Sequence, residues 1–564
     1  MENSAIIQLF KLTVNLLELH DENPFRVKSY QNAIFSLEKT DATLADLSSS
    51  ELEKLDGLGK SLAAKIDEIN RRGTFAELDD LLIKTPAGVI EMFDIKGIGP
   101  KKIRVIWKAL GIDNPQDLLQ ACEEDQVAKL KGFGEKTQAS IRQSLLYHQA
   151  NADKLHFARA EAIAAALKGY LLEKFERVSE SGQVRRKLEV VDCIQLVVGW
   201  DAPTEVTRWL NAHPLLRQNG KESSPFVWRG RYEGLSIAVE VFLAPLPQFT
   251  SRLFLHSGTP SHLAHRGEAA QPTLLKTALS GAFESEEAIY QRAGLPYIAP
   301  ELREGLFEFE WVKTHAAGDL VTLSDLKGIL HNHSTYSDGK HSLEEMALYC
   351  RELGFEYLGI SDHSQSAYYA NGLPEERVRQ QHREVDALNQ RLAPFRVFKG
   401  IESDILNDGL LDYPDEVLAS FDFVVASIHS NLKMDERRAT QRLIRAIENP
   451  YTTILGHPTG RLLLRREAYP IDHPAVIDAC AEHGVVIEVN ANPWRLDLDW
   501  RWLPYALEKG VRISINPDAH EKSGYHDMQY GVAVARKGGL TRPMTFNALS
   551  LAEVERFFSA RKLR

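Results

Sequence analysis

The clearest chemistry in the sequence lies in nine histidine, aspartate and glutamate side chains toward the end of the chain. They sit in short peptides: His331-Asn332-His333, Ser337-Asp338-Gly339, Ser361-Asp362-His363, Gly400-Ile401-Glu402, Ser427-Ile428-His429, Gly456-His457-Pro458 and Pro517-Asp518-Ala519-His520. Imidazoles mixed with carboxylates form the ligand set of a divalent transition metal. Taken singly, each peptide has a plain reading. Asp338-Gly339 makes a turn, His457-Pro458 stops a strand, and Asp362 caps a helix. Taken in series, His331, His333, Asp338, His363, Glu402, His429, His457, Asp518 and His520 read as a multinuclear metal centre.

Most of these peptides follow a short apolar run of β type, such as Leu358-Gly359-Ile360, Phe423-Val424-Val425, Thr453-Ile454-Leu455 or Val511 to Ile515. Polar ligands just past strand ends are where a strand-helix barrel keeps its chemistry. Val486-Ile487-Glu488-Val489 is a further strand, ending at Asn490 and Asn492, which could line the pocket. Arg461 and Lys399 flank ligand peptides and could meet phosphate or simply face solvent. His341, His382, His473, His483 and His526 match no motif and read as surface or structural.

The rest of the chain is an ordinary globular sequence of 564 residues, 44% apolar and 26% charged, long enough for several domains. No run of about 18 apolar residues suggests a membrane span. Met1-Glu2-Asn3-Ser4 lacks the basic start and apolar stretch of a secretory signal. Cys122, Cys193, Cys350 and Cys480 lie far apart, without a Cys-x-x-Cys pair, which argues against a disulfide framework or a structural zinc ribbon. A cytoplasmic protein is the expectation. The net charge of -11 does not exclude DNA, because binding needs local basic patches rather than a basic total.

Residues 1–148 carry helical periodicity, with apolar positions at steps of three and four in Ile6 to Leu19 and Leu62 to Ile69. One pattern occurs three times: Gly57-Leu58-Gly59-Lys60, Gly97-Ile98-Gly99-Pro100-Lys101 and Gly132-Phe133-Gly134-Glu135-Lys136. It resembles the helix-hairpin-helix motif. Glycines let backbone N–H groups approach a phosphate, and Lys60, Lys101 and Lys136 add charge. DNA held by its backbone, without sequence preference, is the implied partner. Ordinary helix corners with glycine C-caps are the other reading.

Asn23 to Tyr30 and the run Lys60 to Ile69 resemble the small N-terminal domain of family X DNA polymerases. In that family a helix Lys can form a Schiff base with an abasic sugar. Lys65 takes the matching place, and a solvated helix Lys is the alternative. Ser181-Gly182-Gln183-Val184-Arg185-Arg186 is similar to the family's Gly-Ser-x-Arg-Arg signature, and Leu295 to Glu304 is similar to its thumb. The resemblance implies a nucleotidyltransferase-like palm over 149–243 and a thumb over 244–313, after an N-terminal helical domain (1–78) and helix-hairpin-helix fingers (79–148). It also places an Asp-x-Asp pair where Cys193 and Gln195 stand, with Glu240 as the third acid. A thiol and a neutral amide are poor magnesium ligands, so nucleotidyl transfer is expected to be lost. Arg185 and Arg186 could still hold phosphate or cap strand acids.

From about residue 327, after a linker over 314–326, the chain resembles the polymerase and histidinol phosphatase (PHP) family of phosphoesterases. The resemblance implies a distorted (β/α)7 barrel with three divalent ions in its mouth. His331, His333, Glu402 and Asp518 would hold one ion. Glu402 would bridge to a second, held also by His429 and His457, and Asp338, His363 and His520 would hold the third. The imidazole-rich shell suits manganese or zinc better than magnesium; manganese is favoured, with zinc open. The expected activity is a DNA-directed phosphodiesterase, a 3′-5′ exonuclease or 3′-end processing enzyme in DNA repair. A phosphomonoesterase, an active polymerase and a non-catalytic DNA scaffold are the alternatives.

Overall fold

The computed structural model describes residues 3–40, 42–268 and 270–562. The chain forms two compact units, 1–152 and 153–564. The first is helical, with main helices Asn3–Leu19, Pro24–Leu37, Lys60–Arg72, Ala76–Ile83, Pro100–Leu110, Pro115–Glu123 and Glu135–Asn151. Helical spacing decides which face is buried: Lys60–Arg72 turns Leu62, Ala63, Ile66 and Ile69 inward. Leu58 and Ile98, each between two hairpin glycines, plug the same core.

The second unit begins with an α/β body. Its sheet contains β1 (Arg177–Ser181), β2 (Cys193–Gly199), β3 (Leu216–Gln218), β4 (Val227–Tyr232) and β5 (Ala238–Ala244), in the order β1-β2-β5-β4-β3. β2 and β5 are parallel, with Gln195 opposite Glu240. Alternation along β2 turns Ile194, Leu196 and Val198 into the core beneath the helix Phe157–Leu172. Short helices over 249–311 follow.

Seven parallel strands form the rest: β6 (Gly328–Ile329), β7 (Tyr357–Ile360), β8 (Arg396–Asp404), β9 (Phe423–Ser427), β10 (Ile454–Leu455), β11 (Val486–Asn490) and β12 (Ile513–Asn516). They pair in sequence order. Their apolar runs are nearly continuous because helices cover one face and the barrel interior the other. The ring draws shut at the C-terminal ends, where Asn332 bridges to Ala519. There His333 N–H donates to the Ala519 carbonyl (2.8 Å) and Asp518 N–H to the His331 carbonyl (3.1 Å). A separate apolar cluster joins Phe398, Phe423, Val425 and Ile454 to Phe546 and Phe558. It fills the interior, so polar chemistry is left to the strand ends.

Body and barrel share one compact unit. Trp500 Nε1–H and Arg501 donate to Glu189 (3.0 and 2.8 Å). Arg536 donates to Glu301 (2.7 Å), and Trp311 to the Gly539 carbonyl (3.0 Å). Lys537, fully buried, pairs with Glu304. Within the stretch read as linker, Val321 is buried and donates its N–H to Leu540. No helix among the described residues is long and apolar enough to cross a membrane.

Candidate metal centre

All nine residues singled out in the sequence converge at the barrel mouth. Their ligand atoms fall into four overlapping groups: His333, Asp338, His363 and His520; His331, Glu402 and His457; His331, His333 and Asp518; His363, Glu402 and His429. Glu402 lies at the centre. Its Oε1 is 3.2 Å from His331 Nε2, 3.2 Å from His429 Nε2 and 3.0 Å from His457 Nε2. Its Oε2 is 2.9 Å from His363 Nδ1 and 3.7 Å from His333 Nε2. This central carboxylate suits a bridge between ions. His333 stands with two groups, the one holding Asp518 and the one holding Asp338 and His520, whereas the expected ligand division gave it only the first.

The donor set fits divalent ions on a second ground. Buried polar atoms are normally hydrogen-bonded. Yet His331 Nε2, His333 Nδ1, His363 Nδ1, both ring nitrogens of His457 and both oxygens of Glu402 are buried without hydrogen-bond partners. A cluster of buried lone pairs aimed at one another needs cations between them.

An outer layer fixes the imidazoles. Glu488 Oε1 lies 2.7 Å from His331 Nδ1, and Glu488 Oε2 accepts the His457 N–H (2.8 Å). Asp404 lies 2.6 Å from His429 Nδ1. For His331 and His429 the carboxylate holds the Nδ1 proton and leaves Nε2 for the centre, whereas His457 is held only by its backbone N–H. Asp362 caps no helix. It accepts the N–H groups of Ser334 and Ser337, both their hydroxyls and Gln381 Nε2, and so ties the His331–Asp338 loop to the end of β7. Gly339 lets that loop close: a Cβ there would lie 2.5 Å from the His333 carbonyl oxygen. His457 and Asp518 have positive φ (20° and 53°), the local strain that functional sites tend to hold.

Burial opposes charge here, and the mixture of signs overrides it. Glu402 and Asp518 are held well below the ordinary carboxylate range by the surrounding imidazoles, and Asp338 is lowered to about 2 by His520. Burial and the neighbouring His520 and His363 push His333 down to about 3. Replacing Glu488 by Gln or Asp404 by Asn is expected to weaken metal binding about 10- to 100-fold. Calorimetric titration with manganese measures it; unchanged affinity would mean that neither carboxylate orients a ligand.

Glu488 and Asp404 escaped the sequence reading as ligand partners, although Glu488 is the one charge within an apolar strand and Asp404 ends another. Arg495 was missed as well; its Nε lies 3.3 Å from Asp518. Asn490 donates to Asp518 Oδ2 (3.2 Å). Lys399 and Arg461 are engaged elsewhere. Lys399 pairs with Asp386 (2.6 Å), and Arg461 binds Asp499 (2.6 Å) and the Arg495 carbonyl (2.9 Å).

In the body, Cys193, Gln195 and Glu240 share one sheet face. Glu240 is already satisfied: Gln195 Nε2 and Arg229 Nε each donate to it at 2.7 Å. The Cys193 thiol is pushed up to about 12 by burial and by Glu240. Arg185 donates to Glu286 (2.7 and 2.8 Å) and Arg186 to Glu304 (3.0 Å). Both acids lie in the 249–311 region, Glu286 at the start of a helix and Glu304 in a turn, not on strands.

In the first unit, Gly57, Gly97 and Gly132 take φ of 73°, 92° and 87°, where glycine is favoured. Gly59, Gly99 and Gly134 are N-caps that give no side-chain cap. Helix N–H groups are thus left facing outward, beside exposed Lys60, Lys101 and Lys136. C-capping falls instead to Gly73 and Gly111. Lys65 is not a solvated lysine. Its Nζ pairs with Glu77 and donates to Tyr30 Oη (2.8 Å).

Comparison with known proteins agrees with this layout. The profile of a helix-hairpin-helix domain matches residues 1–75, that of a SAM-like helix-hairpin-helix tandem residues 89–145, and that of the PHP domain residues 330–491. The DNA polymerase/3′-5′ exonuclease PolX of Bacillus subtilis (strain 168) is 36% identical over 572 residues, covering 99% of both chains. A probable phosphatase of Thermoanaerobacter sp. (strain X514) is 26% identical over 250 residues, 41% of this chain and 94% of that protein. A probable phosphatase of Acetivibrio thermocellus is 30% identical over 203 residues, 34% of this chain and 78% of that protein. The chain thus belongs to the PolX family, with helix-hairpin-helix domains in its first unit and a PHP domain in its barrel.

Proposed function

We propose that this protein is a metal-dependent 3′-5′ exonuclease that trims DNA ends in repair, and that its polymerase-like body no longer polymerises. The observation that carries the first half is the ring of unpartnered buried nitrogens around Glu402. Three divalent ions are proposed to be held by the nine residues, manganese in preference to zinc. When bound, such ions activate water and neutralise phosphate oxygens. The chain's own part is to hold the ligands rigid through Glu488, Asp404 and Asp362. Arg495, beside Asp518, is placed to meet the phosphate of an incoming end.

The second half rests on Glu240. Two donors already occupy this acid, and Cys193 and Gln195 bring no charge with which to bind magnesium. The hairpins are proposed to hold DNA by its backbone, without sequence preference. Affinity of the full chain for unrelated duplexes should then be similar and fall steeply with salt; salt-insensitive binding would contradict this. The four cysteines, none in a disulfide, suit the reducing cytoplasm as the place of action.

The likeness of the barrel to proteins named probable phosphatases favours one other reading, a phosphomonoesterase. Product analysis separates the two. An oligonucleotide incubated with enzyme and manganese should release nucleoside monophosphates. Free phosphate from a 3′-phosphorylated end, without shortening, would establish the phosphatase instead.

A further inference from the structure

The barrel presents few large aromatic side chains to solvent. Among the described residues, only Tyr368, Tyr369 and Trp494 are exposed. The tyrosines follow β7, whose end carries His363, and Trp494 follows β11, whose Glu488 and Asn490 reach the candidate ligands His331 and Asp518. In a ring of seven strands those two ends face each other across the mouth.

Trp494 is also built into position. It is 45% exposed. Its carbonyl accepts the Leu463 N–H at 2.7 Å. His156, from the body, donates through Nε2 to the Leu463 carbonyl (2.9 Å) and packs its ring 4.0 Å from the indole. Arg461 fastens the next two residues through their carbonyls. The indole therefore stands on a fixed loop backed by the body. Beside it opens a cavity of about 220 Å³, bounded by Arg465, Asn492, Arg495, Asp518 and His520. The last two are candidate metal ligands. The Arg465 guanidinium lies 5.1 Å from the indole centroid, and Arg495 stands next to Asp518.

A half-exposed indole, two arginines and a cavity bounded by candidate ligands form the pattern that binds unpaired nucleic acid. Bases stack on the ring while cations meet the phosphates. We propose that Trp494 is the stacking platform for the unpaired base of the 3′-terminal nucleotide, with Arg465 and Arg495 meeting the phosphates on either side of it. The inference rests on the exonuclease reading and adds to it the residue that would receive the terminal base. It also gives the body a part in the nuclease site, through His156.

The test compares two 5′-labelled single-stranded oligonucleotides, one ending in an ordinary adenine nucleotide and one in a tetrahydrofuran abasic unit. Each is cleaved by the full chain with manganese. Wild type should prefer the base-bearing end by roughly tenfold in kcat/KM. In Trp494→Ala that preference should collapse to near one, and Trp494→Phe should keep an intermediate value. The ratio cancels any general damage to the enzyme, since such damage slows both substrates alike. A Trp494→Ala variant that keeps the wild-type ratio would overturn the platform and leave the exonuclease reading standing, as would a wild type indifferent to the base. Failure of wild type to shorten either oligonucleotide would remove the exonuclease reading and the platform with it.

Discussion

Replacing His331 and His333 together by alanine is expected to lower hydrolysis of DNA ends by about a thousandfold or more, the equivalent of about 4 kcal/mol of barrier. His331 stands between Glu402 and Asp518 and is locked by Glu488 on its other side. His333 belongs to two of the ligand groups. Losing both leaves the buried Glu402 and Asp518 facing each other with too few partners to hold ions between them. DNA affinity should persist, because the helix-hairpin-helix turns lie in the other compact unit. Turnover of labelled DNA and a gel-shift titration on the same preparation measure both. Near-wild-type hydrolysis by this variant would place the chemistry outside the barrel.

A second large effect is expected far from any chemistry. Glu286 accepts both terminal nitrogens of Arg303 (3.0 and 2.9 Å) and both of Arg185 (2.7 and 2.8 Å). Arg303 is fully buried, among the rings of Phe254, Tyr290 and Tyr297. Glu286→Ala would strand that guanidinium without a counter-charge. The expected loss is about 3–5 kcal/mol, visible as a lower unfolding midpoint in denaturant. The acid limb of stability follows from the same residue. Burial pushes the Glu286 carboxyl up, but Arg303 and Arg185 outweigh it and hold it at about 2, against 4.5 when unperturbed. A depressed carboxyl stabilises the fold fully above its unfolded value. The contribution therefore fades as pH falls from about 4.5 toward 2. Glu286→Gln should flatten this stretch of the stability profile; an unchanged slope would mean that other carboxyls govern it.

The parts of the molecule legible in the sequence share one property: local pattern and long-range partner agree. The apolar runs before His363, His429 and His457 are strands because both faces are buried, and their polar ends have nowhere to point but the mouth. The repeated hairpin glycines announce positive φ at Gly57, Gly97 and Gly132 without help from tertiary structure. What stayed hidden depends on partners far along the chain. Glu488 reads as one charge in an apolar strand until His331, some 157 residues earlier, is beside it. Arg185 and Arg186 look free for phosphate until Glu286 and Glu304 are brought to them. Trp494 looks like any loop aromatic until His156 and the cavity beside Asp518 surround it. Lys65 carries no sequence mark of the Tyr30 and Glu77 that engage it.

The most direct test uses a 5′-labelled primer annealed to a longer template, with the full chain and manganese, in the presence and absence of all four deoxynucleotides. The account predicts a primer that shortens in both reactions and never lengthens, with shortening lost in the His331→Ala/His333→Ala variant. Lengthening when nucleotides are present would contradict it, and would mean that the site of Cys193, Gln195 and Glu240 still transfers nucleotides.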